Sequence, residues 1–119
     1  MVIKEAKRDV FEGILQLVRD HNLEMNFRVK ALQLIQYMKS VSELEKFDIY
    51  MELFENHEQN DVLRLGAVNG LVTLKLKFLP QNFKNRYFEV YKNANPTIRE
   101  SCEQYFSRFF PEGLLKENF

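Results

Sequence analysis

Cysteine occurs once in these 119 residues, as Cys102, and tryptophan not at all. A single thiol excludes an internal disulfide framework and a cysteine-based zinc site, and it suits a reducing compartment. Glycine and proline are scarce as well, with four and three copies. So few turn-formers favour long helices joined by short connections. Charge of either sign is not in excess: 17 basic side chains balance 17 acidic ones. That balance argues against a module that grips nucleic acid by neutralising phosphates. No apolar run approaches the roughly 18 residues of a membrane helix. The longest, Leu71 to Leu79, is broken by Thr73, Lys75 and Lys77. The opening Met1 to Ala6 lacks the apolar core of a signal peptide. Neither a linker composition nor a low-complexity tract is present. A cytoplasmic protein without membrane insertion is the expectation.

The hydrophobic share, 45%, is too high for a disordered chain. Apolar residues recur at helical spacing almost throughout. Val10, Phe11, Ile14, Leu15, Leu17 and Val18 form a first stripe, on a helix of about residues 2–20. Phe27, Ala31, Leu34, Ile35 and Met38 form a second, and Leu44, Phe47, Tyr50, Met51, Leu53 and Phe54 a third. The fourth runs through Val62, Leu63, Ala67, Val68, Leu71 and Leu74, the fifth through Phe83, Tyr87, Phe88, Val90 and Tyr91, and the sixth through Ile98, Cys102, Tyr105, Phe106 and Phe109. Ser42, Asn60 and Asn95 are N-cap residues, Ser42 and Glu45 read as a capping box, and Pro96 suits a first helical position. Pro80 is expected to end the fourth helix and Pro111 the sixth.

The even-numbered helices share a pattern: Phe27-Arg28-x-x-Ala31, Leu63-Arg64-x-x-Ala67 and Ile98-Arg99-x-x-Cys102. The arginines are spaced by 36 and 35 positions, and Ile35, Leu71 and Phe106 then align. Segments Asn26 to Ile35 and Asp61 to Leu71 resemble the second helix of a HEAT repeat, and Asn95 to Cys102 resembles it more loosely. The resemblance implies an all-α fold: a right-handed α-α superhelix of three stacked HEAT-like helix pairs plus a short C-terminal segment. It places one domain over 1–119, with repeats at about 2–40, 43–79 and 80–110 and a tail at 111–119. Such pairs bury their apolar faces only by stacking on neighbours. Ala31, Ala67 and Cys102 are the small residues that let helices approach. The repeat ladder Arg28, Arg64 and Arg99 has two readings. It bridges carboxylates or carbonyls of the neighbouring turn, or it faces a phosphate or an acidic partner.

Catalytic signals are weak. His57-Glu58 resembles the His-Glu pairs that bind iron in HEAT-like deoxyhypusine hydroxylases, but one pair in a turn cannot complete a metal site. No metal, cofactor or enzymatic activity is expected. Cys102 reads as a buried thiol. Lys75, Lys77, Lys84, Arg86 and Lys92, interleaved with Tyr87, Phe88 and Tyr91, form a modest basic patch. By the resemblance, the second helices line a concave face. Its candidate partner-binding residues are Val29, Gln33 and Gln36, then Leu65, Asn69 and Val72, then Glu100, Gln104 and Ser107. A polar rim around Leu65 and Val72 resembles a protein interface. The function this implies is a non-catalytic scaffold or adaptor that binds another protein. Alternatives are an accessory or regulatory fragment of a larger protein or complex, and a HEAT-like nucleic-acid-binding module. The apolar tail from Phe109 to Phe119 can fold back, begin a further repeat or dock a second copy.

Overall fold

Three side chains set helix starts by accepting a backbone N–H that the first turn leaves unpaired. Ser42 Oγ accepts from Glu45 at 3.1 Å, Asn60 Oδ1 from Val62 at 2.8 Å, and Asn95 Oδ1 from Ile98 at 2.9 Å. Glu45 leaves the capping box half-made, because its carboxylate pairs with Arg8 at 2.7 Å instead. Glu24 occupies the corresponding cap of the second helix without a side-chain bond. The computed structural model describes residues 2–74 and 80–111, with side chains from residue 7 onward. The chain is all-α. Among the described residues there are six helices and no strand: α1 Val2–Arg19, α2 Met25–Gln36, α3 Glu43–Glu55, α4 Asp61–Thr73, α5 Phe83–Asn93 and α6 Pro96–Phe109.

The helices pack as consecutive pairs, α1 on α2, α3 on α4 and α5 on α6. The even helices also lie side by side, α2 on α4 and α4 on α6, while α3 meets α5. One continuous core runs through all six. It includes Phe11 and Val18 of α1, Ile35 of α2, Phe47 and Phe54 of α3, Leu63 and Ala67 of α4, Tyr87 of α5 and Ile98 of α6. Ala31, Ala67 and Cys102 are all buried, at 4%, 0% and 0% exposure. At the far end the core is aromatic. Phe83 meets Phe47 edge-on at 5.4 Å, and Phe109 and Phe110 each reach Phe83 at 5.4 Å. The molecule measures 51 × 33 × 17 Å with a radius of gyration of 15.0 Å. A rounder chain of this length would have a radius of about 13–14 Å, so pairing along the sequence draws the shape out.

The fourth helix stops at Thr73, well before Pro80. Thr73 Oγ1 donates to Gly70 O at 2.6 Å, and Leu74 is already extended. A hydroxyl that bonds back to its own turn competes with the helical ladder and favours a stop there. Leu76 and Phe78, which precede the expected stop at Pro80, lie outside the described residues, as do Lys75 and Lys77. So do Leu114, Leu115 and Phe119 of the tail.

Candidate partner-binding groove

Between α4 and α6 runs an open groove of about 300 Å3. Its lining is Leu65 and Asn69 from α4 and Thr97, Glu100, Ser101, Gln104 and Tyr105 from α6. Four of the nine residues expected on a binding face therefore converge here: Leu65, Asn69, Glu100 and Gln104. The other five do not line it. Val29 and Leu65 both pack partly against the core. Gln36 and Val72 are half-buried, whereas Gln33 and Ser107 are exposed.

The groove exists because of register. Ser101 aligns with Gly66, one repeat earlier. At Gly66 a Cβ would stand 3.1 Å from Leu32 Cδ2, so the α2–α4 seam admits only a very small side chain. Ser101 stands at the same place in the α4–α6 seam and is 6% exposed. Its Oγ has no hydrogen-bond partner. The neighbouring Tyr105 spans the groove, donating its hydroxyl to Asn69 Oδ1 at 3.3 Å. The lining is thus three hydroxyls, two amides, one carboxylate and one aliphatic side chain. It can exchange hydrogen bonds in both directions, and its only formal charge is negative. Thr97 and Ser101 carry no pattern that marks them in the sequence, and Tyr105 reads there only as part of the sixth apolar stripe. Only the alignment of Ser101 with Gly66 hints that it sits at a seam.

The repeat ladder is turned inward where it is strongest. Arg28 is 4% exposed and Arg64 is 1% exposed. Arg28 Nε donates to Val18 O at 2.9 Å. Arg64 donates from Nε and Nη2 to Phe54 O at 3.1 and 3.0 Å. Burial pushes the Arg64 guanidinium down from its ordinary value, with Asp61 opposing; an arginine remains charged regardless. Arg99 is exposed, stacked over the Tyr91 ring at 4.5 Å, with Nη2 reaching Lys92 O at 3.4 Å. The buried pair presents no cationic row to a phosphate.

The remaining candidates are spread apart. His21 and His57 lie exposed in separate loops. Among the described residues no group of three or more His, Cys, Asp or Glu could hold a metal ion. Cys102 is fully buried, and burial pushes its thiol up to about 12, so it stays protonated. In the basic patch, Arg86 donates to Glu55 at 2.8 Å and Lys92 pairs with Glu89 at 3.6 Å. Lys84 lies over the rings of Phe88 and Phe110 at 5.8 Å each. A second groove, of about 390 Å3, separates α1 from α3. It is bridged by the Arg8–Glu45 pair and by Arg19, which donates to both oxygens of Glu52 at 2.8 and 3.1 Å. No helix among the described residues is long and apolar enough to cross a membrane.

The chain matches no protein-family model, no curated protein and no solved structure.

Proposed function

We propose that this protein is a non-catalytic interaction module, with three HEAT-like helix pairs stacked as a short right-handed superhelix. Another protein's extended segment docks along the α4–α6 groove. The observation that carries the reading is Ser101 Oγ, buried at the groove wall with no partner. A buried hydroxyl left unpaired costs about 1–3 kcal/mol, and a bound backbone N–H or C=O would remove that penalty. Peptide backbone supplies both kinds of group in a regular row, which suits a lining of amides and hydroxyls. Leu65 provides the apolar floor on which a partner side chain rests. The accessory-fragment reading uses the same groove, with a larger assembly as the partner. A nucleic-acid module gains little support, because Arg86 and Lys92 face carboxylates and Arg28 and Arg64 face carbonyls.

Affinity capture from a native lysate, comparing the parent with Leu65→Glu and Tyr105→Ala, tests this. A partner retained by the parent and lost by both still-folded variants is the expected result. Capture that neither variant changes would remove the groove from consideration. Steep loss of binding with rising salt would favour nucleic acid.

A further inference from the structure

The opposite side of the molecule, on α1 and α2, carries a different surface. Val10 and Leu17 of α1 are 56% and 46% exposed, and Phe27 and Leu34 of α2 are 51% and 53% exposed. Residues seven apart share a helix face, so each helix presents one apolar line. Repeat register shows what is unusual here. Leu17 aligns with Leu53 and Phe27 with Leu63, which are 3% and 0% exposed. In α4 and α6 this side faces the preceding even helix, as Gly66 against Leu32 and Ser101 in the α4–α6 groove show. In the first pair the same side is bare.

Gly13 is the second observation. It sits in the interior of α1, where glycine is unfavourable. A Cβ there would meet nothing within 4 Å. Gly66 and Gly70, by contrast, are each explained by a side chain of this chain, Leu32 and Tyr50. The position aligned with Gly13 is Ile49, which is 6% exposed and lines the α1–α3 groove. Gly13 therefore has the form of a seam residue whose opposing surface lies outside the chain.

We propose that the α1–α2 side is a two-fold interface with a second copy of this chain. A further repeat stacked in register is a poorer occupant. The seam position filled by Gly66 in α4, against Leu32 of α2, is Lys30 in α2, too large for the same close approach. Head-to-tail stacking of copies fits less well, because among the described residues α6 carries exposed Arg99, Glu103 and Ser107 outside the α4–α6 groove. Two lines of exposed apolar side chains lie together here, whereas Leu44 on α3 and Val62 on α4 are exposed singly, and a paired patch of this kind suits a self-complementary contact. Charge agrees. The chain is neutral, so two copies do not repel, and the face is flanked by exposed Asp9 on α1 and Lys30 on α2. A two-fold axis that sets α1 of one copy against α2 of the other faces opposite signs.

Sedimentation equilibrium of the full chain up to about 100 μM reads the result, since an interface of micromolar affinity is largely formed there. The parent is expected to dimerise. Gly13→Leu is the decisive variant, because the added side chain meets open space within the monomer and removes a helix-weakening glycine. It should leave the circular-dichroism melt of dilute protein unchanged or raised, and weaken dimerisation at least about tenfold. Leu34→Glu should do the same to the dimer, and Leu65→Glu, on the other groove, should not. A parent that stays monomeric, or a dimer indifferent to Gly13→Leu and Leu34→Glu, overturns the proposal; the latter would point to another surface, such as the tail. Loss of dimer only with Leu65→Glu would place self-association in the α4–α6 groove and overturn it equally.

Discussion

Arg28, Arg64 and Arg99 each occupy the fourth residue of their helix, and each reaches the carbonyl of the second-to-last residue of the helix before: Val18, Phe54 and Lys92. That carbonyl is one of four that a helix end leaves unsatisfied. A planar guanidinium can meet it with two donors at once, which an ammonium cannot do in the same geometry. Connection length separates the three. Residues 20–24 and 56–60 form five-residue links, whereas only Ala94 and Asn95 join α5 to α6. The shorter link leaves Arg99 on the surface, over the Tyr91 ring and 3.4 Å from Lys92 O. Arg64→Lys is therefore expected to lower the unfolding free energy by about 2 kcal/mol. Arg99→Lys should lower it by less than about 0.5 kcal/mol. Urea melts of the two variants check this, and equal losses would refute the inward ladder. The buried acids set a pH dependence. Burial raises the Cys102 thiol from 9.0 to about 12 and the Tyr50 hydroxyl from 10.0 to about 12, and it raises Tyr87 in the same direction. Between those values the unfolded chain has released protons that the folded chain still holds, so raising the pH destabilises the fold. Stability should be level with respect to these groups below about pH 8 and fall from about pH 9, by up to ~1.4 kcal/mol per pH unit for each group. Cys102→Ala should move the onset upward by about one unit, toward the tyrosine range. Chemical denaturation at stepped alkaline pH would read both curves.

At the scale of elements, glycine decides how closely α4 approaches its neighbours. A Cβ on Gly70 would meet the Tyr50 ring at 2.5 Å from Cζ and 2.7 Å from Cδ1. The ring is 1% exposed and cannot swing away. Gly70→Ala should cost about 1–3 kcal/mol through overpacking, despite the better helix propensity of alanine. Tyr50→Leu in the same chain should relieve much of that cost. A double-mutant cycle with coupling near zero would refute the contact. Gly66→Ala differs in kind. Its obstacle is one methyl of Leu32 at 3.1 Å, the end of a flexible side chain, so the expected change is near zero. Caps belong to this scale too. Asn95 caps α6 through Oδ1 and also donates from Nδ2 to Asp61 at 3.0 Å, at the start of α4. One asparagine thus starts a helix and ties two neighbouring connections together. Asn95→Ala should cost about 1 kcal/mol or somewhat more, read by thermal melting.

At the scale of the whole molecule, contacts run between sequence neighbours and along the row of even helices. Helix α4 touches α2, α3 and α6, while α1 packs chiefly on α2 and meets α3 through the exposed Arg8–Glu45 and Arg19–Glu52 pairs. Exposed pairs of this kind contribute little, about 0–1 kcal/mol each, and weaken with salt. Opening should therefore be graded along the chain. Native-state hydrogen exchange is expected to be slowest in α4 and fastest in α1, with the difference widening in high salt. Uniform protection from α1 to α6 would show a single cooperative unit instead. Saturating dimer formation through the α1–α2 side should raise protection in α1 selectively, which separates that interface from one at the other end.

That the chain is all-helical, and where most of its helices begin, is legible in the residues alone, because those features are local. Apolar spacing of three and four residues makes a helix face whatever surrounds it, and Ser42, Asn60 and Asn95 cap the turn they sit in. The end of α4 was less legible. Pro80 is a strong breaker, yet Thr73 stops the helix earlier through a bond to its own turn. What the helix faces do depends on how the helices pack. The nine residues of the expected binding face follow from one register, but just Leu65, Asn69, Glu100 and Gln104 meet across a groove. Their companions Ser101 and Tyr105 come from the seam side of α6. Likewise, an arginine at a fixed place in a repeat is compatible with facing out or in. Its direction follows from the length of the preceding connection and the carbonyl it reaches. Helical periodicity is a property of residues a few positions apart. A groove or a bare apolar side depends on residues about 36 positions apart in register, and only close packing of the helices sets their distance.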